Sequence, residues 1–380
     1  MKIQLLNKIA KVGIDALGAG YEVGDAIENP EGILVRSAVM HEMAFGENLL
    51  AVARAGAGVN NIPLDVLAER GVVVFNTPGA NANGVKELAV CALFLASRDV
   101  VGGINWAQSL AGTPDVAKQV EKGKSKFAGT EVAGKTLGVI GLGAIGAMIA
   151  NVALSLGMTV VGCDPFLSVD GAWRLDPGVK RVATFDDVFA AADYITLHVP
   201  ATKDTKNMIN AASIAKMKDG AKILNLARAD LVNAAELKDA LAAGKISAYV
   251  TDFPTEEVLG VEHVVTIPHL GASTEESEDN CAVMAAKEID DYLKNGTIKN
   301  SVNYPNLVLP RTGAARVCIL HKNDPAVLPA ITATGLAAAN LASQAKGENA
   351  YTVLDLAAAP SDAAVKALSA IPGVRKVRVI

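Results

Sequence analysis

The sequence predicts an α/β protein with two domains built on buried parallel sheets and a third, small βαββαβ unit at its C-terminus. Three observations carry this reading. Short β-branched apolar runs alternate with Ala-rich helical stretches along most of the chain. The run Lys135-Thr-Leu-Gly-Val-Ile-Gly-Leu-Gly-Ala-Ile-Gly146 sets three glycines where a strand turns into a helix. Beyond Pro305 and Pro310, residues 312–380 repeat a strand-helix-strand pattern of their own.

Size and composition agree. At roughly 150 residues per domain, 380 residues make two or three domains. With 51% hydrophobic and 20% charged residues there is ample material for large cores, which excludes a disordered chain. The net charge is -5 without a polybasic block, and aromatics are 4%, so no nucleic-acid partner is expected. The four cysteines are far apart, with no C-x-x-C pair and no metal-ligand spacing. They read as reduced thiols of a cytoplasmic protein. Met1 to Ala10 lacks a long apolar segment and a cleavage site, so no secretory signal is expected. Ala326 to Ala345 is uncharged but rich in Thr, Ser, Asn and Gln. It reads as a soluble helix and strand, and no membrane partner is expected.

In chain order, strands are expected at Gly32 to Arg36, Val72 to Asn76, Thr136 to Ile140, Thr159 to Cys163, Tyr194 to His198, Lys222 to Asn225, Ala248 to Thr251 and Val264 to Ile267. They are apolar without alternation, as in sheets covered on both faces. Helices such as Ile145 to Leu156 and Ala234 to Ala243 lie between them. Thr113 to Ala133 is polar and of mixed charge, and reads as a surface connection. Asn303 to Arg311, with its two prolines, reads as a linker. Then follow strand Arg316 to His321, helix Ala326 to Leu336, strands Ala338 to Gln344 and Tyr351 to Ala357, helix Ser361 to Ala370 and strand Val374 to Ile380. That order is the split-βαβ, ferredoxin-like arrangement.

Gly141, Gly143 and Gly146 form G-x-G-x-x-G between an apolar strand and an apolar helix. The first glycine permits a tight turn, the second lets backbone N–H groups approach a pyrophosphate, and the third lets helix and strand pack closely. Asp164 follows at the end of the next strand, where a carboxylate accepts from ribose hydroxyls and repels a 2′-phosphate, so the cofactor is expected to be NAD on a Rossmann-type sheet.

Ligands of parallel sheets bind beyond the carboxyl ends of the strands. Arg228 ends one strand, and its planar fork suits a carboxylate. On position alone a surface arginine is an equal alternative. His269 ends another strand and suits proton transfer to a carbonyl that accepts hydride. Glu256 and Glu257 lie upstream and could orient it. His198 also ends a strand but has no acid close behind it, so it reads as a cofactor-lining residue.

These residues in this order resemble the D-isomer-specific 2-hydroxyacid dehydrogenases, and the resemblance covers nearly the whole chain. Gly141 to Gly146 with Asp164 looks like the family's NAD site. Asn225-Leu-Ala-Arg228 looks like its N-x-A-R element with the catalytic arginine, and Pro268-His-Leu-Gly-Ala-Ser-Thr274 like the element with its acid/base histidine. The resemblance implies that Asp252 meets the nicotinamide amide and that Glu257 pairs with His269. A one-residue deletion after Asp252 would make Glu256 the partner instead. It also implies cofactor contacts from Thr77, Ala144, Ile145, His198, Val199, Pro200, Leu226 and Ala227.

Val35-Arg-Ser-Ala38 and Val52-Ala-Arg-Ala-Gly-Ala-Gly-Val-Asn60 are similar to substrate-domain elements of family members acting on D-3-phosphoglycerate. Arg36, Ser37, Arg54, Gly56 and Gly58 would then bind the substrate. The implied reaction is NAD-dependent oxidation of D-3-phosphoglycerate to 3-phosphohydroxypyruvate, the first step of L-serine synthesis. The alternative is another 2-hydroxy acid, with hydroxypyruvate, glyoxylate or 2-oxoglutarate reduced. A regulator that senses NAD without turnover is a remote third reading. The implied architecture is a discontinuous flavodoxin-like substrate domain (1–98 and 272–305), a nucleotide domain (99–271) with a cleft between the two, and a C-terminal unit (312–380) that looks like an ACT domain. In that unit His321, Asn323 and Asn340 are candidate ligands of an L-serine effector, and a homodimer or homotetramer is expected.

Overall fold

The computed structural model describes every residue from Met1 to Ile380 and divides into two compact units. One comprises Met1–Asn81 with Glu275–Ile380, the other Ala82–Thr274.

In the first unit, β1 (Lys2–Leu6), β2 (Glu22–Gly24), β3 (Gly32–Val35), β4 (Ala51–Arg54) and β5 (Val73–Phe75) form a parallel sheet in the order β2-β1-β3-β4-β5. This is the order of flavodoxin-like doubly wound sheets. Ile33, Val35, Val52 and Val74 face one core, while Leu34, Ala51, Ala53 and Phe75 face another. The second core is closed by helices Lys11–Ala16 and Glu275–Asn295. Their close crossing needs Gly13, where a Cβ would stand 2.5 Å from that of Ala282.

The same unit carries β13 (Ala315–Lys322), β14 (Ala338–Lys346), β15 (Asn349–Leu356) and β16 (Val374–Val379), an antiparallel sheet in the order β14-β15-β13-β16. With helices Val327–Thr332 and Asp362–Ser369 it has the expected βαββαβ order. Val317, Ile319, Leu354 and Leu356 pack under these helices. The alternate residues Cys318, Leu320, Tyr351 and Val353 join the core of the first sheet. The central strands β13 and β15 are therefore buried on both faces, and the sheet is not set apart behind a linker. Residues 303–311 are part of that packing. Tyr304 is buried and its hydroxyl donates to Ala68 O at 2.7 Å. Asn303 accepts from Val74 N and donates to Val72 O.

In the second unit, β6 (Thr136–Ile140), β7 (Thr159–Cys163), β8 (Lys180–Arg181), β9 (Tyr194–Leu197), β10 (Ala221–Asn225), β11 (Ile246–Thr251) and β12 (Val264–Thr266) form a wholly parallel sheet in the order β12-β11-β10-β9-β6-β7-β8. The order reverses between β6 and β9, the switch point where Rossmann-type sheets take their ligand. Helix Ala82–Ser97, expected in the substrate domain, belongs here. Its stripe Val85, Ala89, Ala92, Leu93 and Ala96 packs with Leu137, Ile149 and Ala150. The units thus divide at 81/82 and 274/275 rather than at 98/99 and 271/272. Residues 113–133 hold a helix, Val116–Gly123, and a 3-10 turn, Lys124–Phe127, along the surface.

Candidate active site

The glycine turn has the three geometries its spacing predicts. Gly141 takes a φ of 88°, and a Cβ there would meet His198 O at 2.6 Å. Gly146 lies so close to the turn that a Cβ would collide with Gly141 O, whereas Gly143 faces open space. Gly143 precedes helix Ala144–Ser155, whose first N–H groups are free for an anion, as the helix dipole favours. Asp164 anchors the turn, accepting from Leu142 N at 2.9 Å through Oδ2 and from Phe166 N at 2.8 Å through Oδ1. Each carboxylate oxygen keeps a second lone pair for a ribose hydroxyl. The residues present thus fit a dinucleotide.

Ala144 and Ile145 open that helix, and Val199 packs beside Gly141. Pro200 follows on the surface. His198 pairs Nε2 with the Thr196 hydroxyl at 2.9 Å. Burial pushes its pKa down to about 4, so it is neutral at pH 7. Leu226 lies in the core and Ala227 is half-buried.

Arg228 is exposed at the end of β10, on a turn gripped by Asn225. The Asn225 amide donates to Arg228 O at 2.8 Å and accepts from Ala227 N and Arg228 N. His269 is exposed beyond β12, with its ring centroid 4.9 Å from that of Phe253. No hydrogen bond joins it to a glutamate. Glu257, expected as its partner, is exposed and makes no hydrogen bond to it. It lines a pocket of about 360 Å³ with Lys206, Asp230 and Asn233. A hydrogen bond from Thr255 and the charge of Lys238 hold its carboxyl below the usual range. Glu256 is exposed and makes no hydrogen bond. Asp252 is buried and accepts from the N–H groups of Leu270 and Gly271.

In the other unit, Arg36 donates to Glu278 Oε1 at 2.6 Å in a half-exposed ion pair. Asn7, at φ 70°, accepts from the N–H groups of Ser37 and Ala38 and so fixes the Arg36-Ser37 turn. Gly56 has a φ of 150°, and a Cβ there would collide with the Arg54 guanidinium, which lies over this turn. Thr77 is buried and grips the turn, accepting from Gly56 N at 2.8 Å and donating its own N–H to Gly56 O. Its hydroxyl thus braces this turn and keeps its own O–H as a donor. Asn76 donates to Ala57 O and steadies the approach to Gly58.

His321 departs furthest from expectation. It is 2% exposed, with Nδ1 on Lys322 O at 2.7 Å and Nε2 on Thr352 Oγ1 at 2.9 Å, so both ring nitrogens are occupied inside the sheet. Asn323 is exposed and donates to Gly347 O, and Asn340 is half-buried on the edge strand β14.

Residues 105–271 match the family model described as D-isomer specific 2-hydroxyacid dehydrogenase, NAD binding domain. A D-3-phosphoglycerate dehydrogenase from Escherichia coli K12 is 31% identical over 354 residues, covering 88% of this chain and 82% of that one. The chain belongs to the D-isomer-specific 2-hydroxyacid dehydrogenase family. A relative of the same name from Archaeoglobus fulgidus is 37% identical over 332 residues, 81% of this chain and 60% of that one. NAD+-bound 3-phosphoglycerate dehydrogenase from Entamoeba histolytica matches with a TM-score of 0.62 at 28% identity, over 81% of this chain and 99% of that one. The chain spans only 54% to 60% of the length of several curated relatives it matches. The cofactor of this domain is NAD, which the glycine turn and Asp164 fit. No helix is long and apolar enough to cross a membrane.

Three residues that brace candidate side chains within their own units were given no such role from the sequence: Asn7, Phe253 and Glu278. A polar residue ending an apolar run was the available signal for Asn7, as it was for Asn225 of the N-x-A-R element. Nothing in the sequence marks Phe253 or Glu278, because each meets its partner only through the fold.

Proposed function

We propose that the chain oxidises D-3-phosphoglycerate to 3-phosphohydroxypyruvate with NAD, opening L-serine synthesis. The observation that carries this is the 31% identity to the enzyme of that name over 354 residues, which span both units. When bound, NAD supplies the hydride acceptor. The protein supplies the rest. Arg228 takes the substrate carboxylate and favours the carbonyl that develops beside it. His269 Nε2 or Nδ1 removes the hydroxyl proton and returns it in the reverse direction. Arg36 and Arg54 take the phosphate, so Arg36 must leave Glu278 when substrate arrives. Glu256, free of other partners, is the glutamate able to pair with His269. Asp164 selects NAD over a cofactor with a 2′-phosphate.

The C-terminal βαββαβ unit is proposed to be an ACT domain. Its exposed edge strand β14, which includes Asn340, would serve pairing between copies in a homodimer or homotetramer. An L-serine effector would be held at Asn323 and Asn340, since His321 is occupied. Four unpaired cysteines favour a cytoplasmic setting.

The test is NADH consumption with 3-phosphohydroxypyruvate beside hydroxypyruvate, glyoxylate and 2-oxoglutarate, each with and without L-serine. Strong preference for the phosphorylated acid is expected. Equal turnover of the unphosphorylated acids would leave a general 2-hydroxyacid dehydrogenase, and insensitivity to serine would leave the terminal unit a structural one.

A further inference from the structure

His269 sits on a loop that does not hold itself. Its φ of 54° is strained for a residue with a side chain, and its N–H closes a tight turn onto Ile267 O at 2.9 Å. The next two N–H groups converge on one carboxylate. Leu270 N donates to Asp252 Oδ1 at 2.7 Å and Gly271 N to Asp252 Oδ2 at 2.8 Å. Asp252 is 1% exposed, and its own N–H donates to Asn225 O at 3.0 Å. Asn225 is in turn the residue whose side chain grips the Arg228 turn. A hydrogen-bonded path thus runs from the arginine turn, through two adjacent strand ends, to the histidine loop.

We propose that Asp252 is a positioning residue that fixes His269 relative to Arg228, and that this, rather than contact with the cofactor's carboxamide, is its main contribution to turnover. The inference rests on the dehydrogenase reading above. Each carboxylate oxygen accepts one charge-assisted bond from a main-chain donor in a buried setting, and the lone pair each keeps does not bear on the loop. A backbone conformation as strained as that of His269 persists only where its surroundings over-determine it. With one of the two bonds lost, the loop relaxes and the imidazole leaves the reacting geometry.

The test is Asp252→Asn in the full chain, which keeps shape but presents an amide donor to one of the two N–H groups. A displacement of about 1 Å lowers rate by up to about 100-fold, so kcat is expected to fall about 10- to 100-fold while KM and NADH affinity, read by fluorescence, change less than about 3-fold. The Leu270 and Gly271 amides should exchange with solvent faster than in the parent. The loss should be the same with the 3-acetylpyridine analogue of NAD, which has no amide N–H to donate. A kcat equal to the parent with both amides still protected would overturn the proposal. So would a defect carried by NADH affinity that disappears with the analogue. Gly271→Ala provides a second route if the first variant does not fold. Its Cβ would stand 2.9 Å from Asp252 Oδ2 with the carboxylate intact, and it should lower kcat and loosen the Leu270 amide. An unchanged kcat in that variant would count against the clamp. If the parent turns over no 2-oxo acid, the functional reading fails by itself, while amide exchange still reports whether Asp252 holds the loop.

Discussion

Phe253 meets the His269 ring where a carboxylate was expected, and the two candidate glutamates differ in their surroundings. Glu257 is held by Thr255 and lines a pocket together with Phe253, while Glu256 has no side-chain partner. His269→Ala should lower kcat by about 100-fold or more, the usual worth of a general acid-base group. Glu256→Gln should cost more than about 10-fold through loss of the charge that steadies the imidazolium, and Glu257→Gln less than about 3-fold. Steady-state kinetics on the three variants checks this, and a larger loss at Glu257 would reverse the assignment. The Arg36–Glu278 pair gives a second expectation. A half-exposed ion pair is worth at most about 1 kcal/mol, or about 5-fold in an equilibrium. Glu278→Gln should therefore lower KM for the phosphorylated substrate by about 2- to 5-fold with kcat little changed. A raised KM would mean that Glu278 aligns Arg36 rather than competing for it.

The long helix Glu275–Asn295 shows how local chemistry reads at the scale of an element. Glu275, Glu276 and Glu278 fill its first turn and Lys294 its last, as the helix dipole favours. Glu288 breaks the pattern, because it lies on the buried side. Its Oε1 accepts from Asn300 at 2.7 Å, and desolvation raises its pKa to about 7. A carboxyl raised in the folded state holds its proton there after the unfolded chain has lost it. Stability is thus unaffected below about pH 4.5, declines between pH 4.5 and 7, and stays lower above. Glu288→Gln keeps the acceptor for Asn300 and should stabilise by about 1–3 kcal/mol above pH 7, with no gain below pH 4.5. Thermal melts at pH 4.5 and 8 test it, and an equal shift at both would exclude the carboxyl as the cause. Strands such as β6, β7 and β13 were legible because both of their faces are buried, so their residues are apolar without interruption. β2 and β8, of three and two residues, were not, since they carry exposed charged side chains at sheet edges. Helix Ala82–Ser97 shows the limit from the other side. Its apolar stripe is plain in the sequence, but not which sheet it covers. Arg228 and His269, the proposed catalytic residues, were legible as strand ends. Asp252 was legible as a candidate site residue, yet its bonds to a loop 18 residues on were not.

At the scale of the whole molecule, the C-terminal sheet completes the unit that the N-terminus begins. The last carbonyls of the long helix lack partners within the helix. Residues of the terminal sheet supply them. Arg378 donates to Leu293 O at 2.9 Å, Arg316 to Asn295 O at 2.8 Å and the Tyr351 hydroxyl to Gly296 O at 2.6 Å. Arg378 also lies over the Tyr292 ring at 4.8 Å. Arg316 is the centre of this arrangement. It is 1% exposed, forms a bidentate pair with Asp355 at 2.7 and 3.0 Å, and donates to Leu309 O as well. One guanidinium therefore ties together the helix end, the segment 303–311 and β15. Arg316 also holds the Asp355 carboxyl below its ordinary range. Stability from that pair is present above about pH 4 and is lost as pH falls through the depressed value. Removing one partner of a buried pair strands the other, at about 3–5 kcal/mol. Arg316→Met should lower stability by that amount and open residues 303–312 to protease. Asp355→Leu should do likewise, and the double variant should be less destabilised than the sum of the two, because no lone charge remains. Urea titration of the three variants measures the coupling. Additive losses, or single losses below about 1 kcal/mol, would mean that the terminal sheet is held by its apolar face alone and that the fork contributes nothing to its docking.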